Sequence, residues 1–319
     1  MAVVKRGLLC ALFACSLVAA QSAKPIPVIL DTDIGDDIDD ALALALILQS
    51  PELDLKAVTT VLGDTETRSR LVLKELKLYG RGEVPIGTGA PEPLLDPWPK
   101  VKAPQFQVLT AADELPPGAR RNGAQLIVET LMTSPVKMTM LPVGPLTNIA
   151  LALRLEPRIK EKIERIVLMG GSFFPPRAEY NIVRDRVAAE IVFESGLPIV
   201  AVGLDVTEKC KLQGADLERM RAAKNPASQF LVRLIELWQS DKPGAYPTLH
   251  DPLAIGAAVK AELIESRTGT VHVETASPLT YGTTVFKAGT GATQAARDVR
   301  VREFLELFLS RLSSAPRGR

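Results

Sequence analysis

The sequence predicts an α/β protein whose open, mostly parallel sheet is flanked by helices and finished by a small antiparallel edge near the C-terminus. Two observations carry this. Short β-branched runs alternate with longer segments of helical period, the signature of repeated βαβ units around a parallel sheet. After about residue 264 the pattern changes to two strand-like stretches in succession, "TGTVHVET" and "LTYGTTVF", which suit an antiparallel pair.

The elements follow in order. The first strand, "PVILDT" from Pro27, is an apolar run ending in aspartate, and a helix over 39–50 follows it. "KAVTTV" from Lys56 is the second strand, with a helix over 66–80 behind it. The Pro-rich "GAPEPLLDPWPKVKAP" interrupts without the composition shift of a linker. A helix over 122–133 then leads to "KMTMLPVG" from Lys137, and a helix over 146–154 to "RIVLMGG" from Arg165. A helix over 185–195 precedes "PIVAVGLDV" from Pro198, and Trp238 falls in an apolar helical pattern whose default is burial. The last helix spans 298–312, and "SSAPRGR" at 313–319 reads as a disordered tail.

Residues 1–20 place Lys5 and Arg6 before a short apolar stretch and small residues at a cleavage-like position, the pattern of a signal peptide. An exported protein, periplasmic or secreted, is therefore expected, and residues 21–312 have the length for one large α/β domain or two smaller units. Removing the leader takes the formal charge from +1 to −1, so no basic surplus points to nucleic acid. Cys10 and Cys15 leave with it, and Cys210 alone cannot form an internal disulfide. No later stretch approaches the ~20 apolar residues of a membrane span. Stability has to come from a hydrophobic core.

Six aspartates lie between Asp31 and Asp40, directly behind the first strand. Like charges at that density need a partner. In an open parallel sheet, ligands collect beyond the carboxyl ends of the strands, where "VGPLTN" and "MGG" also fall. Hard carboxylate and carbonyl oxygens without thiolates or a histidine cluster favour Ca²⁺ or Mg²⁺, and Ca²⁺ suits a many-oxygen cage better. Duller readings exist for each motif. An aspartate can cap a helix and complement its dipole, Asn148 can do the same in "GPLTN", and Asp251 followed by Pro252 is an ordinary helix start. Met169 would by default fill the core.

Taken in order, "DTDIG…DDALA", "VTTVLGDT", "LPVGPLTNIALA", "VLMGGSF", "AEYNI…D…AA", "VGLDVT" and "HDPLA" resemble the Ca²⁺-dependent nucleoside hydrolases of the inosine-uridine-preferring type. The resemblance covers nearly the whole chain after the leader and makes residues 21–312 one catalytic domain. It implies a Rossmann-like sheet, a homo-oligomer, and hydrolysis of ribonucleosides to ribose and free base in purine and pyrimidine salvage. It further implies Asp33 as calcium ligand and base toward the attacking water, Asp40 and Asp251 as ligands, and Val143 as a ligand through its carbonyl. Asp39, Met169, Glu179 and Asn181 match the residues that hold ribose.

Departures from the family pattern bear on substrate grip. Two extra residues separate Asp33 from the "DDALA" pair, so Asp37 competes with Asp39 for the ribose; Asp64, which the resemblance counts among the substrate-binding residues, stands where many members have asparagine; and an "HG" pair before the third helix is missing. Of the two histidines, only His250 adjoins a site motif. It either protonates the leaving base or serves as a structural hydrogen-bonding residue. Tyr180, Trp238 and Tyr246 are the aromatics available to stack on a base. With so few base contacts, selectivity is expected to rest on the ribose, with purine and pyrimidine ribosides differing less. Two alternatives come from other classes: a Mg²⁺-dependent haloacid-dehalogenase-like phosphohydrolase, which wants Gly-Thr after Asp33 where this chain has "IG", and a calcium-dependent nucleoside-binding protein without turnover.

Overall fold

The computed structural model describes residues 24–97, 99, 102–116 and 122–317. The leader read at 1–20 lies outside the described residues. The first half of the chain forms β1 (Ile26–Thr32), α1 (Asp39–Leu48), β2 (Leu53–Thr60), α2 (Thr65–Leu78), β3 (Ile86–Thr88), α3 (Gly123–Thr133), β4 (Met138–Pro142) and α4 (Thr147–Leu155). Then come β5 (Ile163–Met169), α5 (Tyr180–Arg184), α6 (Arg186–Phe193), β6 (Ile199–Val202), α7 (Leu204–Thr207), α8 (Ala215–Ala222), α9 (Pro226–Asp241) and α10 (His250–Val259). The chain closes with β7 (Ile264–Val273), β8 (Thr284–Ala288), β9 (Thr293–Val299) and α11 (Val301–Leu312).

These strands make one sheet in the order β3-β2-β1-β4-β5-β6-β9-β7-β8. From β3 to β9 every neighbouring pair is parallel, and β7 pairs antiparallel with both β9 and β8. The antiparallel edge is where the sequence put it. Between it and β6 lies β9, which the sequence reading missed and partly absorbed into the last helix. Its burial explains the miss: Thr293, Ala295 and Ala296 face inward while Gln294, Arg297 and Asp298 face solvent, so the strand carries almost no apolar signal. β3 is three residues long, too short for any periodicity to register.

Successive side chains of a strand point to opposite faces, and the sheet separates two cores accordingly. Val28 and Leu30 pack with α1, α2 and α8 to α11, whereas Ile29 packs with α3, α4 and α6. Helix α1, "DDALALALIL", is buried from Asp39 through Ile47. A helix apolar on all sides belongs inside, so its two leading aspartates are carried into the interior with it. At its other end Gln49 Nε2 donates to the carbonyls of Arg311, Ser314 and Ala315, and Gln49 Oε1 accepts from the Arg317 amide. Over its described residues, 313–317, the segment expected to be disordered is thus fastened to α1. Among the described residues no helix is long and apolar enough to cross a membrane.

Candidate active site

β1 and β4 are sheet neighbours although β2 and β3 intervene in the chain, so the winding reverses between them. A crevice opens beyond the carboxyl ends of strands at such a reversal. Here the segment after β1, Val143 after β4, Met169 at the end of β5 and the start of α10 all line one cavity of about 430 Å³. That size suits a small-molecule ligand.

Asp39, Asp40 and Asp251 are each 3–4% exposed and bring carboxylate oxygens within 4.8 Å of one another. Burial, followed by repulsion from neighbouring aspartates, holds all three carboxyls well above the ordinary range. No ion pair to a described residue offsets them. Asp251 is not the cap of its helix: the N-cap is Leu249, and the Asp251 amide donates to Asp39 Oδ2 at 3.2 Å. Asp40 Oδ1 accepts from the Asp33 amide at 3.1 Å and from the Thr32 hydroxyl. Three buried carboxylates, with no thiolate or imidazole among them, are a donor set that fits a hard divalent cation.

Asp33 lines the same cavity but lies outside that triad of oxygens. Its carboxyl too is pushed well up, first by burial and then by Asp40 and Asp36. A Cβ on Gly144 would come 2.7 Å from Asp33 Oδ1 and 3.0 Å from its amide nitrogen, so the glycine of "VGPLTN" leaves the space that the aspartate occupies. Gly144→Ala is expected to cost up to ~10²-fold in turnover, the scale of an ångström of misplacement, with the fold retained. Steady-state kinetics beside circular dichroism checks this.

The ribose-holding residues of the sequence reading also converge. Glu179 Oε1 accepts from the Asn181 amide at 2.9 Å, while Oε2 accepts from the amides of Gly171 at 3.0 Å and Ile182 at 3.2 Å. Burial raises its carboxyl, and these bonds pull it partly back. Asn181 Nδ2 donates to the carbonyls of Val143 at 2.7 Å and Met169 at 3.2 Å. The Val143 carbonyl keeps a second lone pair for another partner. Met169 is not mere core filler, since it lines the cavity.

Asp64 is a correction. It is exposed, caps α2 by accepting from the Thr67 amide at 3.0 Å and the Thr67 hydroxyl at 2.7 Å, and does not line the cavity. Asp37 lines the cavity at a half-exposed position, where Oδ2 meets Lys242 Nζ at 3.2 Å and Oδ1 accepts from the Ile38 amide. Of the two competing aspartates, Asp39 is the one beside Asp251. His250 Nδ1 lies 2.7 Å from Thr207 Oγ1, and burial lowers its pKa. Tyr180 and Trp238 line the cavity; Tyr246 is 49% exposed and does not.

Several residues were missed. Asn148 is not a cap: it bonds Asp31 Oδ1 at 2.8 Å and the Thr60 carbonyl at 2.9 Å, tying β1 to β2. With Thr59 also on Oδ1, Asp31 is still lifted by burial to about 7. Lys102, Asp241 and Lys242 add an ionic lining, with Lys102 Nζ 3.3 Å from Asp241 and Lys242 Nζ 5.0 Å from the Trp238 ring centre. Arg68 sits behind the aspartate loop. An arginine in a helical pattern gave no signal, because sequence spacing cannot show that its neighbours are loop carbonyls.

A doubly wound sheet with a cluster of buried carboxylates and a cavity at its reversal point defines an α/β protein with a candidate metal and small-molecule site. The profile of the inosine-uridine preferring nucleoside hydrolases matches residues 28–306, and the chain belongs to this family. It is an enzyme that hydrolyses ribonucleosides to ribose and free base. A pyrimidine-specific ribonucleoside hydrolase, RihA of Salmonella arizonae, is 38% identical over 286 residues, covering 82% of this chain and 88% of the relative. A plant nucleoside hydrolase, the PpNRh1 enzyme, superposes with a TM-score of 0.79 at 28% identity, covering 91% of this chain and 99% of that one. The purine-preferring ribonucleoside hydrolase of Gardnerella vaginalis gives 0.77 at 30% identity, covering 90% and 98%. The phosphohydrolase alternative falls with these matches.

Proposed function

We propose that the enzyme is a Ca²⁺-dependent ribonucleoside hydrolase that recognises its substrate chiefly by the ribose. The observation that carries this reading is the triad of Asp39, Asp40 and Asp251 in the cavity that Met169, Glu179 and Asn181 also line. By the family resemblance Asp33, Asp40, Asp251 and the Val143 carbonyl would hold the ion, and Asp39, the third member of the triad, would turn to the ribose. When bound, calcium supplies a Lewis-acid centre that acidifies water and gathers sugar hydroxyls.

The side chains do the rest. Asp33 accepts a proton from the attacking water as its oxygen bonds to the anomeric carbon. The glycosidic bond breaks, and its electron pair leaves with the base. Carboxylates around the sugar favour the positive charge that develops on the ring. Asp39, Glu179 and Asn181 hold the ribose, and Asp37, tied to Lys242, stands aside from it. In its doubly protonated form His250 donates Nδ1–H to the Thr207 hydroxyl and passes the Nε2 proton to the departing base. Among bases we favour pyrimidines, because relatives named pyrimidine-specific share 38% of their residues with this chain. Export, implied by the leader-like residues 1–20, and assembly into a homo-oligomer, implied by the family resemblance, belong to the same proposal.

Ribose release from uridine with chelator, then with Ca²⁺ restored, tests the reading; a rate indifferent to both sinks it. In parallel, Asp251→Ala is expected to abolish the rise in melting temperature that Ca²⁺ gives the native enzyme. That rise reflects about 2.7 kcal/mol at a hundredfold excess of ion over Kd. Unchanged metal content in the variant would remove Asp251 from the ligand set.

A further inference from the structure

The aspartate loop rests on a buried cation that the reaction does not use. Arg68, on α2, is 3% exposed. Its Nε donates to the Leu62 carbonyl at 2.7 Å, and its Nη1 donates to the carbonyls of Asp33 and Ile34, the latter at 2.7 Å, and meets Asp36 Oδ1 at 3.0 Å. One guanidinium therefore gathers the loop that follows β1 and the loop that follows β2. Both loops need holding. Leu62 stands at φ +67°, in the left-handed region that a leucine seldom enters, and Gly35 at φ +130° passes where a Cβ would lie 2.5 Å from the Phe106 ring. Asp36 belongs to the segment in which this chain is two residues longer than the commonest family spacing. Its other oxygen accepts from the Tyr180 hydroxyl at 3.3 Å.

We propose that Arg68 is a positioning residue of the metal site: its planar fork fixes the main chain from Asp33 to Asp36, so that Asp33 and, through the Asp33 amide, Asp40 are set toward the ion. The proposal rests on the calcium reading above. It also carries a sign that separates it from a charge effect. A guanidinium beside the cage repels a divalent ion, so deleting the charge without moving the loop would tighten calcium binding. Losing the fork instead loosens it. Lysine keeps the charge but cannot bond several oxygens in one plane.

Calorimetric titration of Ca²⁺ into metal-stripped protein decides this, with circular dichroism to establish that each variant is folded. Arg68→Met and Arg68→Lys are both expected to raise the calcium Kd by at least about tenfold. At saturating Ca²⁺, kcat is expected to fall while KM for uridine changes little, because Asp33 is displaced and the ribose-holding side chains are not. Calcium binding to Arg68→Met that equals or exceeds the native affinity overturns the proposal. So does native affinity in Arg68→Lys, which alone decides the matter if Arg68→Met fails to fold. If the native protein itself takes up no calcium, the calcium reading falls and this proposal with it.

Discussion

2′-Deoxyuridine is expected to be cleaved about 10⁴-fold more slowly than uridine, the scale on which a site built to bond a hydroxyl rejects an analogue lacking it. Asp39 and Glu179 are each 3–4% exposed, and Asn181 is 5%. Glu179 and Asn181 are held by their own bonds to amides and carbonyls, so neither can swing away to find another partner. Removing the 2′-hydroxyl leaves the remaining lone pairs of such groups buried without that partner, and that cost falls on the transition state as well as on binding. In the proposed binding mode, exchanging uracil for hypoxanthine alters the contacts near Trp238, Tyr180 and His250, which line the cavity, so uridine and inosine are expected to differ far less. Comparing kcat/KM for uridine, inosine and 2′-deoxyuridine checks both statements. A deoxynucleoside turned over almost as fast as uridine would move recognition from the sugar to that aromatic end of the cavity.

Asp33→Asn is expected to lower kcat by ~10² or more while leaving the fold intact, the usual scale for loss of a positioned base. The amide is nearly isosteric, and Arg68 bonds the main-chain carbonyl at this position, which the substitution leaves alone. The space beside Gly144 also remains filled. Proton acceptance at the side chain is what disappears. A near-native rate would transfer the base role to another aspartate. Asp37 was the sequence-based alternative, but its carboxylate is engaged by Lys242 and the Ile38 amide.

Much of the fold was legible because buried parallel strands advertise themselves. β1, β2, β4, β5 and β6 are buried on both faces toward their carboxyl ends, and each coincides with a β-branched run quoted from the sequence. β9 was not legible, since a strand with alternating polar and small residues looks like the start of the helix that follows it. The site was legible where the chain concentrates like charge. Asp39, Asp40 and Asp251 were named from local motifs, although 212 positions separate the Asp251 amide from the Asp39 carboxylate that it bonds. Asp64 misled because its motif position matched while its side chain turned back to cap a helix. Arg68, Lys242 and Asn148 escaped because each acts on segments remote in sequence. Their partners exist only after the sheet has wound.

The attachment at Gln49 bears on how the enzyme is handled. Helix α1 presents Asp39 and Asp40 at one end, and at the other it is fastened by four bonds from Gln49 to the last described residues and by Arg311 to Glu52 through two contacts of 2.8 Å. A purification tag fused at the C-terminus, or a chain shortened before Ser313, acts on this fastening and thereby on a rigid rod that ends in the carboxylate cage. Immobilisation chemistry aimed at the C-terminus carries the same consequence: the anchor point is mechanically in series with the catalytic centre.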